Sequence, residues 1–272
     1  MTYRLFEGKD HASVYQKYRL TPPEELKDII IQYLDKRRGQ PHELAVDLGC
    51  GTGQNSRLLA PHFREVVGID VSENQLEVAR ATPGFPNITY REGTAEELPF
   101  PDGSVDLLTA AAAAHWFNRS RFLAEASRVL KPGGCMALLG FTDTNTRFCY
   151  KDCEERIREV YEGVKKVLLP FTSQQVAVAD GKLEELYSAI PFPDKERIDS
   201  FKSKCFISVR NLVGFMESWS MFQAYKAKDG ERAEELLLNT QKRFLEEMGV
   251  TSPDTEIEYE LEYYCVLASK PH

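Results

Sequence analysis

The chain has 272 residues, 42% of them hydrophobic, and its 34 basic and 42 acidic residues leave a formal net charge of −8. Such a chain can bury a sizeable core, and we interpret it as one domain, 1–272, with an insertion. The negative balance disfavours nucleic acid as a partner, because nucleic acid is concentrated by a positive field. No apolar run near the start is long enough for a signal peptide or a membrane span, so we expect a cytoplasmic protein without a membrane partner.

Residues 1–40 are interpreted as an amino-terminal flap followed by a helix. The prolines at 22–23 are typical of a helix start, and the helix should run to about Arg38. In the flap, Arg19 can bind a carboxylate through its planar guanidinium, and Tyr15 and Tyr18 stand beside it in the sequence. A surface arginine near a helix start is the alternative.

Residues 43–141 alternate apolar, strand-like runs with helical segments. This order predicts parallel strands joined by helices in a doubly wound α/β sheet. Ligands bind outside the carboxyl ends of the strands in such sheets, so we interpret this range as a cofactor-binding core. The runs are Leu44 to Leu48, Val66 to Asp70, Ile88 to Arg91, Val105 to Thr109 and Cys135 to Phe141.

A glycine-rich turn follows the first of these runs. Gly49, Gly51 and Gly53 allow the chain to turn sharply with its backbone close to a ligand. Asp70 ends the second run, where a carboxylate can bind both hydroxyls of a ribose. Asp47, two residues before the first glycine, suits a cation such as the ammonium of a methionine moiety and would repel a pyrophosphate. A nucleotide cofactor is therefore predicted, and Asp47 argues against a dehydrogenase.

An alanine-rich segment follows the fourth run and leads into His115 and Trp116. Small side chains there would let a cofactor and an acceptor approach closely. His115 has three interpretations: a base, the hydrogen-bond partner of a carboxylate, or a packed histidine bonded to the backbone. Trp116 would line the acceptor pocket or belong to the core. The chain shows no convincing metal-ligand spacing, so we predict no metal.

Residues 142–204 are too many for a simple crossover, and we interpret them as a helical insertion between strands 5 and 6. A helical period over 157–168 predicts one helix, and a second should run from Ser173 to Ile190. The insertion is our candidate substrate lid. A helical layer that only thickens the core is the alternative.

Residues 205–272 should complete the sheet. Apolar residues alternate with glutamates over 256–263, which predicts a strand with one buried and one acidic face, antiparallel to its neighbour at Cys205 to Val209. A helix after Val209 places Trp219 in the core and leaves Gln223 able to reach the pocket.

The glycine turn with its two acids resembles the first and second motifs of class I S-adenosylmethionine-dependent methyltransferases. The segment 91–106 is similar to the third motif of that family, and 128–134 to the turn before strand five. The resemblance implies a Rossmann-like, seven-stranded sheet, mostly parallel with an antiparallel carboxyl-terminal strand. It also implies S-adenosylmethionine as cofactor and S-adenosylhomocysteine as product. Besides the motif residues above, it assigns to the cofactor site Cys50, Val71, Thr94, Ala95, Glu96 and Ala111.

Among methyltransferases the chain is similar to the trans-aconitate methyltransferase-like group. The similar segments are Phe6 to Ala12, Tyr15 to Arg19, His115 to Phe117 and Trp219 to Tyr225. This implies a small-molecule acceptor, which we interpret as a carboxylic acid that is methylated on oxygen, with His115 and Arg19 as candidate catalytic residues. Two alternatives remain open, namely another acceptor that is methylated on nitrogen or oxygen and a catalytically silent cofactor-binding protein. The oligomeric state, monomer or homodimer, is also open. The segment after strand four lacks the Pro-Pro-Tyr pattern of nucleic-acid amino-methyltransferases and the paired glutamates of arginine methyltransferases.

Overall fold

The computed structural model describes residues 8–272. Phe6 and Glu7, which carry part of the subgroup resemblance, lie outside the described residues. Two helices precede the sheet, α1 Lys9–Tyr18 and α2 Glu24–Arg38. The second begins directly after the two prolines and ends at Arg38, as the sequence predicts.

Seven strands form one mixed sheet: β1 Leu44–Leu48, β2 Glu65–Asp70, β3 Ile88–Glu92, β4 Val105–Ala111, β5 Leu130–Cys149, β6 Asp194–Ser208 and β7 Glu256–Ser269. Their order is β3-β2-β1-β4-β5-β7-β6. The first five strands are parallel, and β7 lies antiparallel between β5 and β6. The predicted fold class, with its antiparallel carboxyl-terminal strand, is confirmed.

The remaining helices cover both faces of the sheet. They are α3 Gln54–Leu59, α4 Glu73–Ala81, α5 Arg119–Val129, α6 Glu154–Leu168, α7 Gln174–Asp180, α8 Glu184–Ala189, α9 Val209–Glu217, α10 Ser220–Lys228 and α11 Gly230–Met248, with short 3-10 turns at Ala60–His62, Ala114–Trp116 and Leu169–Phe171.

Side chains of the central strands alternate between two hydrophobic cores. One core joins β-strand residues such as Ala45 and Leu107 to the apolar faces of α2, α6, α9 and α11. The other joins Val46 and Leu108 to α5 and α8. Because both faces are covered, ligand access is left to the edge of the sheet where the parallel strands end.

The predicted acidic outer face of β7 is wrong for the last two-thirds of the strand, which are buried. Glu256 and Glu258 are at least partly exposed, but Glu262 is only 6% exposed and accepts hydrogen bonds from Thr142 Oγ1 at 3.3 Å and Asn145 Nδ2 at 3.0 Å. The strand is buried on both faces there because its side chains alternate between the two hydrophobic cores, Cys265 and Leu267 in one and Tyr264 and Val266 in the other.

Two strands are longer than their sequence patterns indicate. β5 runs to Cys149, past the predicted end at Phe141, with a register shift after Thr142. β6 begins at Asp194 instead of Cys205. It is an edge strand, and its charged, half-exposed residues hide the alternation that reveals a buried strand.

The insertion contains three helices instead of the two predicted. The buried side of α6 includes Ile157, Val160 and Tyr161, as its period predicts. The second predicted helix is divided into α7 and α8, because the chain turns through left-handed Lys182 and Leu183 and buries Leu183 in the core. Within the described part of the chain no helix is both long and apolar enough to cross a bilayer.

Candidate active site

A large cavity lies at the carboxyl ends of the parallel strands. It encloses about 1540 Å³ of space when its solvent-open mouth is included. Its wall runs from the glycine turn and Asp70 to an aromatic chamber around His115 and Trp219. A smaller cavity adjoins it under the glycine turn and shares Arg19 with it.

The glycine turn between β1 and α3 requires its glycines. Gly49, Gly51 and Gly53 have φ values of 63°, 54° and 87°, in the left-handed region that glycine adopts most readily. A Cβ on Gly49 would lie 2.5 Å from Cβ of Ala113, so the turn also approaches the segment after β4 closely. Gly49 and Gly51 line the large cavity, whereas Gly53 lines neither cavity and serves the turn.

Asp70 lies at the end of β2, beside the turn and on the cavity wall. Its Oδ2 accepts the backbone N–H of Gly51 at 2.8 Å, and its Oδ1 accepts that of Ser72 at 2.9 Å. Burial raises the pKa of the carboxyl above its usual value. The two backbone bonds hold the carboxylate in one orientation, and Val71 continues the wall.

Asp47 is fully buried beneath the turn. Its oxygens accept hydrogen bonds from Asn55 Nδ2 at 2.9 Å and Ser56 Oγ at 2.6 Å, so the acid ties β1 to the start of α3. Burial raises the pKa of Asp47 to about 6. The carboxylate borders the smaller cavity, where Cys50 and Ala111 also lie.

The loop after β3 forms the opposite wall. Thr94, Ala95 and Glu96 all line the large cavity. Glu96 Oε1 accepts the backbone N–H of Asn118 at 2.7 Å, which ties this loop to the start of α5. The structure thus places the predicted third motif beside the glycine turn and Asp70.

Two glutamines near the turn are functional candidates that the sequence did not reveal. Gln75 on α4 lines the large cavity, is 2% exposed, and neither its Nε2 nor its Oε1 has a hydrogen-bond partner in the described chain. Gln54 borders the smaller cavity with an unpartnered, buried Nε2. Buried amides without partners fit a site whose ligand supplies them. A glutamine on a short helix carries no sequence signal for this role.

Arg19 follows α1 and lines both cavities. Its guanidinium carbon lies 5.0 Å from the ring centre of Tyr15, 5.3 Å from that of Phe141 and 5.6 Å from that of Phe215. Among residues 8–272 no carboxylate forms an ion pair with it. A cation held by aromatic faces, with its hydrogen-bond donors left over, is suited to bind an anion.

His115 lies in the 3-10 turn after β4, its ring centre 4.8 Å from that of Trp116. The side chain is partly exposed to the cavity, but its Nδ1 is buried and has no hydrogen-bond partner in the described residues. Burial, with a smaller contribution from Arg19, lowers the pKa of His115 to about 3. The imidazole is therefore neutral at neutral pH. Because Nδ1 has no partner, this atom does not form the backbone hydrogen bond that one of the three interpretations of His115 requires.

Two residues predicted to bind substrate lie away from both cavities. The ring of Tyr18 packs on α9, where a Cβ on Gly214 would meet it at 2.5 Å. Gln223 Nε2 donates to the carbonyl of Glu217 at 2.7 Å, a local bond that turns it toward its own helix start. Tyr15 and Trp116 do line the large cavity, and so does Trp219, which is also part of the core.

The end of the cavity beneath α7 contains polar groups that the sequence did not reveal. Asp143 on β5 is bound by Tyr161 Oη at 2.7 Å and Lys165 Nζ at 3.2 Å. Asp180 ends α7, and Tyr264 lies on β7. All three residues line the cavity. Their distance along the chain from the glycine turn explains why sequence spacing did not connect them.

Comparison with known proteins identifies the family. A family model described as a methyltransferase domain matches residues 46–138. A demethylmenaquinone methyltransferase from Staphylococcus saprophyticus is 35% identical over 181 residues, which cover 62% of this chain and 73% of that protein. The chain belongs to the methyltransferase family.

Other relatives extend the similarity over nearly the whole methyltransferase. A protein from Dictyostelium discoideum, named as a candidate methyltransferase, is 29% identical over 262 residues, covering 94% of this chain and 92% of that protein. The solved structure of a candidate type II methyltransferase from Anaeromyxobacter dehalogenans has a TM-score of 0.73 at 24% identity and covers 94% of this chain and 100% of that one. The latter similarity concerns the fold. The resemblance to the trans-aconitate methyltransferase-like group stays a prediction.

Proposed function

We propose that this methyltransferase binds S-adenosylmethionine and transfers its methyl group to a small carboxylic acid, giving a methyl ester. The observation that carries the proposal is the continuity of one cavity from the glycine turn and Asp70 to Arg19 and His115. Family membership supports the transferase activity. The acceptor class rests on the chemistry of the aromatic chamber.

The residues at the turn fit an S-adenosylmethionine molecule. The Asp70 carboxylate can accept hydrogen bonds from ribose hydroxyls, and the unpartnered Gln75 amide can both donate and accept. Asp47 supplies negative charge beside the smaller cavity, where the ammonium of a methionine moiety would be stabilised. Thr94 and Ala95 would lie along the adenine.

The chemistry that the cofactor supplies is an electrophilic methyl group on a sulfonium, displaced in line. The carboxylate oxygen forms the new bond to carbon, and the electron pair of the broken C–S bond stays on sulfur. Because the positive charge on sulfur is lost, the chain contributes mainly positioning and electrostatics. Ala112 and Ala113 line the cavity, and their small side chains leave room for the two reactants to approach each other.

Arg19 is the group that would orient an acceptor carboxylate. Its guanidinium lies beside three aromatic rings and lines the cavity, and it has no ion-pair partner among residues 8–272. Because it also borders the smaller cavity, the carboxylate of the cofactor's own methionine moiety competes for the same role. The experiment below separates the two.

The low basicity of His115 favours an acceptor from which no proton has to be removed. A carboxylic acid is already ionised at neutral pH, so no proton has to be removed during transfer. With its pKa lowered to about 3, His115 is a weak base but an effective neutral hydrogen-bond partner. We propose that it bonds to the carboxylate oxygen that does not react.

The test is formation of S-adenosylhomocysteine from S-adenosylmethionine with matched acids, amines, phenols and thiols of the same carbon skeleton. Turnover confined to the acids, with base-labile methyl esters as products, is the expected result. Turnover with another class, or none with any class, would overturn carboxyl methylation. Cofactor binding without turnover would favour a silent binding protein.

Arg19→Gln separates the two roles of the arginine. If Arg19 holds the acceptor, the variant should raise the acceptor KM by about 10-fold or more and leave cofactor affinity within about 2-fold. Loss of cofactor affinity with an unchanged acceptor KM would assign Arg19 to the cofactor and remove the main support for a carboxylate acceptor. Arg37→Gln, which removes a guanidinium bound to Asp194 far from the cavity, is the matched control.

A further inference from the structure

A tyrosine hydroxyl without a protein partner marks the end of the cavity beneath α7. Tyr264 is 1% exposed, yet it lines the cavity, and its hydroxyl has no hydrogen-bond partner within residues 8–272. It lies opposite Gly140 on β5, where a Cβ would stand 2.5 Å from the hydroxyl oxygen. Glycine at this position keeps space for the hydroxyl, which is free to form a hydrogen bond with a ligand in the cavity.

An unbalanced carboxylate lies at the same end. Asp180, the last residue of α7, lines the cavity and forms no ion pair with any described residue. The lysines of the flanking segments are already paired, Lys165 with Asp143 at 3.2 Å and Lys182 with Glu262 at 3.7 Å. Asp180 is exposed at the cavity, and Lys165 acts on it from a distance without forming an ion pair, so its negative charge is only partly compensated.

The two ends of the chamber have opposite charge. Phe141, whose ring contacts Arg19, and Asp143 are two residues apart on β5, which corresponds to roughly 7 Å along a strand. Between the ends the wall is apolar, with Val176 and Ala179 from α7 and Met221 from α10. A small molecule with an anionic group, an apolar middle and a cationic group would match this order.

Resting on the methyltransferase function proposed above, we propose that the acceptor is an amino acid in the broad sense. Its carboxylate lies at Arg19, and its ammonium group lies between Asp180 and the hydroxyl of Tyr264. An ammonium group fits better than a hydroxyl because it neutralises Asp180 and still donates to the Tyr264 oxygen. Asp143 is paired with Lys165 and lies below this subsite, so we assign neither residue a contact with the ligand.

Binding measured by calorimetry tests this subsite without relying on turnover. Straight-chain amino acids from 4-aminobutanoate to 8-aminooctanoate are titrated beside the unsubstituted acids of equal length, with and without S-adenosylhomocysteine. We expect the amino acid of optimal length to bind at least about 10-fold more tightly than its matched acid. Asp180→Asn should abolish that preference, and Tyr264→Phe should reduce it by about 2- to 10-fold.

Asp152→Asn is the matched control, since Asp152 is exposed and lies outside both cavities. Equal binding of the two series, no binding by either, or a preference that survives in Asp180→Asn would overturn the ammonium subsite. Failure of carboxyl methylation is read separately, in the release of S-adenosylhomocysteine. Amino acids that bind with the expected preference but are not methylated would leave the subsite standing and refute the reaction.

Discussion

The carboxylate of Asp70 accepts the backbone N–H of Gly51 at 2.8 Å, so the acid after β2 and the glycine turn after β1 form a single hydrogen-bonded unit. The same carboxylate faces the cavity. Its observed role of fixing the turn and its proposed role of binding a ribose therefore fall on the same carboxylate.

Asp70→Ala should weaken cofactor binding by about 1.5 to 3 kcal/mol, roughly 10- to 150-fold, because a charge-assisted contact is lost. Calorimetric titration with S-adenosylhomocysteine measures it. Asp152→Ala, an exposed site away from the cavities, should bind like the original protein. Unchanged affinity in Asp70→Ala would contradict the ribose assignment.

The affinity for S-adenosylhomocysteine should depend on pH through Asp47. Burial raises the pKa of this acid to about 6, and a nearby ligand ammonium favours its ionised form, so binding must release a proton at lower pH. We expect affinity to be level above about pH 7 and to fall below about pH 6, by up to about tenfold per pH unit. Titrations between pH 5 and 8 measure this.

Asp47→Asn supplies the comparison for that pH profile. An amide cannot lose a proton in this range, so the variant should bind more weakly at pH 7 and show a flat profile. A variant profile that falls in parallel with that of the original protein would assign the titration to another group.

His115→Ala should lower kcat/KM for the acceptor by about 10-fold and leave cofactor affinity unchanged, because a hydrogen bond to the acceptor's carboxylate is lost. His115→Gln keeps a donor and should recover part of the activity. With a His115 pKa of about 3, the original enzyme should show no loss of kcat/KM between pH 8 and 6. A decline centred near pH 6.5 would instead identify a titrating histidine in the reaction.

Gln75→Leu should separate stability from binding. The amide of Gln75 is buried without partners, so an apolar side chain of similar size should leave the melting temperature of the ligand-free protein unchanged or raise it. The same change should weaken cofactor binding by about 1 to 3 kcal/mol. Thermal unfolding with and without S-adenosylhomocysteine measures both. A lower melting temperature together with unchanged affinity would refute the role of Gln75 as a ligand group.

The parts of the site that could be predicted are those encoded by local spacing. Gly49, Gly51 and Asp70 follow directly from strand ends, and the parallel order of the strands brings such ends together. Backbone geometry decides these positions, so a short motif carries the information.

The parts that could not be predicted depend on packing between distant segments. Tyr18 lies one residue from Arg19, yet its ring faces α9, because α1 docks on that helix through Gly214. Tyr264 follows Tyr263 on a strand that is buried on both faces, so alternation cannot tell that Tyr264 lines the large cavity and Tyr263 the smaller one. Asp180 ends α7, and the sequence did not predict that this helix ends there.

The first helix joins the two parts of the molecule that the ligands would occupy. Gln16 Nε2 donates to Thr82 Oγ1 beside α4 at 3.1 Å, and His11 Nε2 lies 3.1 Å from the carbonyl of Ser218 after α9. Tyr15 and Arg19 on the same segment face the cavity. A bound ligand would therefore add contacts to α1 from within, and the amide hydrogens of this helix should exchange more slowly whenever the cavity is filled. The amide hydrogen exchange of α1 can thus report whether the cavity is occupied. Unlabelled metabolites can be ranked as ligands by how much they slow this exchange, before any product has been identified.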